Sequence, residues 1–468
     1  MKISKLLVAA TLLAASVATA DQAAMLRPNA PVAADPKIEF VKYTLPNGLE
    51  VILSPDKSVP LVAVNIWYHV GSGNESYGKS GFAHLFEHML FQGSKHVGVD
   101  NHFDILKKIG ADGVNGTTNP DRTNYFEIVP SNQLETALWL ESDRMGYTLD
   151  PPASVKDPSN HFKTSLDNQI DVVRNERRQR YDNVPYGKAR FATSLGMYPE
   201  GHPYRHLTIG KHEDLTSAST EDVKNFFKTW YVPANATLTL VGDFDLEEGK
   251  KLVEKWFGKF PKSTRPPVVA APTPTIKSKE VSVDDEFAKL RQVQFVWHSP
   301  AVYAEGDAEL DIVANALTRE GPGRLYKALV YSNKAQSAFA SQFGSGFSGS
   351  FAITVTLKSD SNLDEIKKIV MEEIAKITKT PLDAKEISRV IVANESSAIR
   401  GLETQMGRAQ VLQQYNHYLG DPNRISWDLD RYRKTDAQKI RATAAKYLRA
   451  DNVLTVITNP VKSDKGAK

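Results

Sequence analysis

Apolar and polar positions change period along this chain, and each change marks an element. Leu61-Val62-Ala63-Val64-Asn65-Ile66-Trp67 is a nearly unbroken apolar run and predicts a buried strand. After a loop, Gly81 to Gly93 carries apolar residues at helical spacing. Gln133 to Met145 has Leu134, Ala137, Leu138 and Glu141 three and four apart, which predicts a helix. Asp167 to Arg180 predicts another, with Val172 and Val173 on its apolar face. Val293-Gln294-Phe295-Val296-Trp297 reads as a strand, followed by a loop and an apolar helix ending at Gly321. Phe343 to Gly349 reads as a glycine turn before a strand, and Asp364 to Lys376 and Asp383 to Tyr418 as long helices. Strands and helices do not alternate strictly. The expected fold is therefore α+β, a mainly antiparallel sheet with helices packed on one face.

One stretch separates two such patterns. Pro261, Pro266, Pro267, Pro272 and Pro274 fall between 261 and 275, and a run this rich in proline is an extended spacer. It predicts two domains, 36–260 and 276–460. Aligning Gly93 with Gly321 sets Ile312, Asn315 and Ala316 opposite His84, Glu87 and His88. Val223, Trp230 and Asn235 align without a gap with Ile440, Tyr447 and Asn452, each set a helix leading into a strand (Thr237 to Val241; Leu454 to Thr458). The chain thus reads as a weak internal repeat.

Composition narrows the setting. Lys2 and Lys5, the apolar run Leu6 to Ala15 and the small residues Ala18-Thr19-Ala20 have the form of a secretory signal over residues 1–20. That run is too short to span a bilayer, and no other stretch reaches 18 apolar residues. The expected location is across the inner membrane, in the periplasm. The chain has no Cys, which rules out a lipid-modified cysteine and any disulfide. Stability must then come from a large core, which 468 residues can supply. With the two leader lysines set aside, the remaining basic residues nearly balance the 55 acidic ones, so nothing in the charge favours nucleic acid.

The chemistry concentrates in His84-Leu85-Phe86-Glu87-His88. Residues four apart share a helix face, so both imidazoles can reach one ion, with Glu87 on the same side. HxxEH is the inverted form of the commoner HExxH zinc-protease motif. The flanks Gly81-Phe82-Ala83 and Met89-Leu90-Phe91 are apolar, and burying these three polar groups without partners would be costly. A catalytic zinc takes three protein ligands and a water. Glu176 lies three and four residues beyond Val173 and Val172; on spacing alone it is open between a third ligand and a solvated charge. The remaining histidines read plainly. Pro203 interrupts His202 and His206, His212 opens a helix beside Glu213 and Asp214, and His69 and His298 end strands.

HLFEHMLFQGS, followed downstream by DVVRNERRQRYDNVPYG, resembles the pitrilysin and mitochondrial-processing-peptidase family of inverzincin zinc endopeptidases. NGTTNPDRTNYFE and GPGRLYKALVY resemble further family segments, so the likeness spans essentially the whole mature chain. It implies zinc held by His84, His88 and Glu176, Glu87 as catalytic base, and two homologous domains of which the second lacks the metal. It implies that Arg324 and Tyr331 reach the substrate from the second domain, and that Asn115, Gly116 and Thr117 form an edge strand on which a peptide lies. It also implies a chamber enclosed by four domains, hence a homodimer or a heterodimer with a homologue lacking HxxEH. Two departures stand out. Gln169 replaces a glutamate that many members carry seven residues before the metal-binding one. Asp150 to Thr164, with three prolines, is longer than the usual connection and reads as a surface loop. The alternative to an enzyme is a non-catalytic peptide-binding or structural subunit of a peptidase assembly.

Overall fold

The computed structural model describes residues 34–269 and 271–461; the expected signal at 1–20 lies outside them. Among the described residues, eleven strands form two sheets. The first contains β1 (Val41–Thr44), β2 (Glu50–Pro55), β3 (Leu61–Tyr68), β4 (Asp112–Thr118), β5 (Thr123–Pro130) and β6 (Ala236–Gly242), in the order β1-β2-β6-β3-β5-β4. The second contains β7 (Lys279–Asp285), β8 (Gln292–Ser299), β9 (Ala335–Gly344), β10 (Gly349–Leu357) and β11 (Leu454–Pro460), in the order β7-β11-β8-β10-β9. With β1 set aside, the two orders are the same, strand for strand. Only β2–β6 and β7–β11 pair in parallel, and they occupy the same place in each sheet. The repeat therefore extends to topology. β4 and β9 are the corresponding open edges.

Each sheet packs its own helices on one face. In the first half, Phe82, Leu85, Phe86 and Met89 of the motif helix (Phe82–Met89) enter a core with Val64, Ile66 and Tyr68 of β3. In the second, Leu310, Val313 and Leu317 of the helix Asp307–Thr318 meet Phe295 and Trp297 of β8.

The other face of each sheet is covered by a helix from the opposite half. The helix Gln405–Leu419 places Ala409 and Leu412 on Ile52, Ala63 and Val241 of the first sheet. The helix Gly187–Met197 places Ala189 and Met197 on Val296, Leu454 and Val456 of the second. Its Gly196 is needed there, because a Cβ would sit 2.5 Å from Leu454 Cδ2. His69 and His298 occupy matching strand ends and meet these exchanged helices: His69 Nδ1 lies 2.6 Å from His417 Nδ1, and His298 Nε2 donates to Met197 O at 2.9 Å.

Three local expectations change. The region Asp383 to Tyr418 is two helices, Ala384–Gly401 and Gln405–Leu419. The chain turns after Gly401, and Thr404 caps the next helix by accepting from Gly407 N. The expected loop to Thr164 ends sooner, since the helix carrying Glu176 runs His161–Arg177. Its prolines all precede His161, so none prevents the early start. Of the two valines on that helix, Val173 is buried and Val172 is 46% exposed.

Gln413 is fully buried on the helix Gln405–Leu419, and its Nε2 donates to Asn65 O at 3.0 Å and Thr237 O at 2.7 Å. Gln413→Leu removes both bonds at constant bulk. It should cost about 2 kcal/mol, read as a lower urea midpoint at an unchanged slope.

Candidate metal centre

The motif helix begins at Gly81, whose φ of 94° favours glycine and whose Cβ would lie 3.1 Å from Gly210 Cα. Gly81 has no side chain to cap the helix, and Glu75 supplies the acceptors. Its Oε2 accepts from Gly81 N at 2.9 Å and its Oε1 from Ala83 N at 2.8 Å. A carboxylate at a helix N-terminus also meets the positive end of the dipole. The Glu75 side chain is fully buried, and burial raises its pKa despite His206 and the two amides. His206 Nε2 lies 2.7 Å from Glu75 Oε2 and 3.0 Å from Ser72 O; both are acceptors, so this nitrogen carries the proton. Burial works against the charge on His206, but Glu75 outweighs it and raises the pKa.

The helix thus has one face in the core and one in a cavity. Tyr125 holds the core side, its hydroxyl donating to Phe86 O at 2.9 Å. On the cavity side the rings of His84 and His88 lie 4.8 Å apart at 75°. Glu176 comes from the last turn of its own helix. Its Oε2 is 3.6 Å from His84 Nε2 and 3.2 Å from His88 Nε2, and its Oε1 meets Arg180 Nη1 at 2.9 Å. One ligand atom from each of the three residues falls within 4.8 Å of the others. Ligands of a tetrahedral zinc at about 2.0–2.1 Å stand about 3.3–3.4 Å apart, and the two distances to Glu176 bracket that value. Burial, with His88 beside it, lowers the His84 pKa to about 4, which leaves the imidazole neutral. Burial alone would raise Glu176, but His88, His84 and Arg180 hold it below the usual carboxylate value. Two imidazoles and one carboxylate are a donor set that fits zinc.

The cavity is about 470 Å³, and its lining includes Glu87, Gln169, Tyr181 and Asn115, Gly116, Thr117 and Thr118 of the β4 edge. Phe91 and Phe103 stack at 4.6 Å on one wall. Thr118 Oγ1 donates to Glu87 Oε2 at 2.6 Å. A Cβ on Gly116 would stand 3.0 Å from Glu87 Cγ, so β4 lies directly against this carboxylate. Burial raises the Glu87 pKa. Arg324 and Tyr331 do not line this cavity. Arg324 forms a two-pronged pair with Glu386, Nε to Oε1 at 2.8 Å and Nη2 to Oε2 at 2.6 Å. Tyr331 is 85% exposed.

Glu75, His206, Thr118 and Arg180 carry no motif signal for these roles. His206 belongs to a segment that reads as an ordinary loop, and its partner is 131 positions away. His202 accepts from Tyr204 N, and His212 pairs with Asp182.

Two family models match: "Insulinase (Peptidase family M16)" over residues 50–146 and "Peptidase M16 inactive domain" over 217–393. The chain belongs to peptidase family M16. His84, Glu87 and His88 fall in the first match, and Glu176 lies between the two. The zinc protease PqqE of Helicobacter pylori is 27% identical over 391 residues, covering 81% of this chain and 83% of that one. The uncharacterized zinc protease YmxG of Bacillus subtilis is 21% identical, covering 89% and 98%. Among solved structures, a protease from Helicobacter pylori matches with a TM-score of 0.82 at 24% identity, covering 91% of this chain and all of that one. The periplasmic protease PqqL of Escherichia coli matches at 0.73 and 18%, covering 92% of this chain and 48% of that one. These structural likenesses share the two-domain M16 fold. No helix among the described residues is long and apolar enough to cross a membrane.

The Glu75–His206 pair yields a pH signature. His206 is raised in the folded chain, so its contribution is complete below the unfolded value of 6.5 and is lost as pH rises through the higher folded value. Glu75, also raised, acts in the same direction from 4.5 upward. The difference in urea midpoint between wild type and His206→Gln should therefore shrink from mildly acidic to mildly alkaline pH. On the acid side His206→Gln should cost about 1–3 kcal/mol.

Proposed function

We propose that the chain is a zinc-dependent endopeptidase acting on peptides or short unfolded segments. The observation that carries this reading is the convergence of His84, His88 and Glu176 beside Glu87, all facing an open sheet edge. The two relatives named zinc proteases support it. Zinc, when bound, would supply a Lewis acid and bring the pKa of a coordinated water to about 7. Glu87 accepts the proton of the attacking water and returns it to the leaving amine. Thr118 donates to one oxygen of Glu87 and so leaves the other to face the water. A peptide lies along β4 at Asn115, Gly116 and Thr117, held by main-chain hydrogen bonds that suit many sequences.

Arg324 and Tyr331 lie outside this cavity, so we assign them to an opposite wall that closes over substrate. Tyr331 would donate to the carbonyl oxygen as it gains charge. Arg324, already bound to Glu386, would offer its remaining nitrogen. The wall comes from this chain or from a second one, in a homodimer or with a homologue lacking HxxEH. The leader-like residues 1–20 and the Escherichia coli relative titled periplasmic support export to the periplasm.

The second reading is a peptide-binding or structural subunit without turnover. Two findings favour it: the inactive-domain match and a Pseudomonas fluorescens structure titled an M16 inactive domain, with a TM-score of 0.75 at 16% identity. Glu87→Gln separates the two readings. It should keep one zinc per chain while cleavage of a quenched fluorescent peptide falls about 10²–10⁴-fold. Glu176→Ala should lose zinc as well. Zinc-loaded wild type that binds peptides and cleaves none would establish the second reading.

A further inference from the structure

One side chain of the turn between β4 and β5, Asp121, takes two donors from the opposite half of the chain. Asn119 Oδ1 builds the turn by accepting from Asp121 N and Arg122 N, both at 2.8 Å. This sets Asp121 outward with both oxygens engaged. Oδ1 accepts from the Tyr204 hydroxyl. Oδ2 accepts from the Tyr418 hydroxyl at 2.9 Å and from Gly346 N at 2.9 Å. Tyr418 belongs to the exchanged helix Gln405–Leu419, and Gly346 to the β9–β10 turn, so both of these donors come from the second half. Phe347, next to Gly346, stacks on Tyr204 at 4.9 Å and donates its amide to the same Tyr204 hydroxyl.

The second-half donors are themselves fixed. Gln413, Asn416 and His417, on the turn before Tyr418, are bonded to Asn65, Glu50 and His69 of the first half. On the other side of the turn lies the candidate site. Asp121 lies three positions after Thr118, which donates to Glu87. Arg122 Nη1 donates to Thr117 O at 2.8 Å, and its guanidinium lies 4.9 Å over Trp67. The turn also accepts from Ser72 N and Gly73 N through Asn119 O and Pro120 O, which fixes the loop that carries Glu75.

We infer that Asp121 is a positioning residue, through which the second half sets the placement of β4 against Glu87. This rests on the proposed peptidase reading for its effect on turnover, but not for its effect on the strand. A carboxylate suits the role because it accepts all three donors, whereas an amide must turn its NH₂ toward one of them.

The test uses Tyr418→Phe and Asp121→Asn in the full chain. Tyr418→Phe leaves every first-half residue intact and removes one hydroxyl. Both should speed hydrogen exchange of the β4 amides paired with β5, by about fivefold for Tyr418→Phe and more for Asp121→Asn. Because both Glu87 and the bound peptide rest on β4, kcat should fall and KM should rise, with zinc content unchanged. Adding Tyr418→Phe to Asp121→Ala should change exchange and turnover by less than Tyr418→Phe does in the wild type, since one of the two turn partners of that hydroxyl is already gone and Asn119 remains. β4 exchange that stays at the wild-type rate in both single variants overturns the inference, whatever happens to turnover. Faster exchange in a protein that cleaves no peptide overturns the peptidase reading and leaves the positioning role standing.

Discussion

Everything in this structure depends on covering two apolar sheet faces at once. Ile52, Ala63 and Val241 on one sheet, and Val296, Leu454 and Val456 on the other, point away from the helices of their own halves. Left in water, either patch would weaken the fold and invite association. The chain resolves this by exchange, each half lending one helix to the other. The contact is therefore reciprocal, and neither half is complete without its counterpart. Polar detail follows the same symmetry: His69 and His298, at matching strand ends, each bond to the helix that arrives from across the junction.

The cluster of His84, His88 and Glu176 is a local departure from that symmetry. In the first half, His84 and His88 face a cavity and Glu176 joins them. In the second half, Ile312 and Ala316 take the matching places and are buried. The motif helix thus exchanges apolar packing for two imidazoles set beside a carboxylate. Its seat is correspondingly polar. Glu75, fully buried, holds the first amides, and His206 balances Glu75. On the opposite side Tyr125 holds the Phe86 carbonyl, and Arg144 lies 4.4 Å over the Tyr125 ring while paired with the buried Glu141. A helix fixed by hydrogen bonds at both ends resists the rotation that would pull His84 from His88.

What the sequence makes legible follows from how far each interaction reaches. Strand and helix types emerge from period, because neighbouring side chains carry the signal. HxxEH is legible for the same reason, as its geometry lies within one helical turn. Glu176 is not, since its own helix offers only spacing and the match to a family supplies the rest. The break after Gly401 is visible in Gly401 and Thr404, yet apolar periodicity continues across it and masks the turn. The start of the Glu176 helix at His161 is hidden by the prolines just before it. Glu75 with His206, Thr118 with Glu87, and Asp121 with Gly346 and Tyr418 join residues 131, 31, 225 and 297 positions apart. No local pattern announces such partners. Arg324 shows the opposite limit: its segment is recognisable, but its engagement with Glu386 emerges only when the helices are packed.

A half without metal ligands still has physical work to do. Edge strands are the least constrained part of a sheet, because one side lacks a neighbour and the hairpin end is free to move. β4 is such an edge, and it must stand close enough for Thr118 to reach Glu87. Among the described residues its one sheet partner is β5, and its far end turns at Asn119–Arg122. Tyr204, Ser72 and Gly73 brace that turn from within the first half. The exchanged helix adds a second brace, itself anchored in the junction through Gln413 and Asn416. The helix exchange that closes both cores therefore also stiffens the strand beside the candidate metal site, and the second half can lose its own ligands while the first still needs its packing.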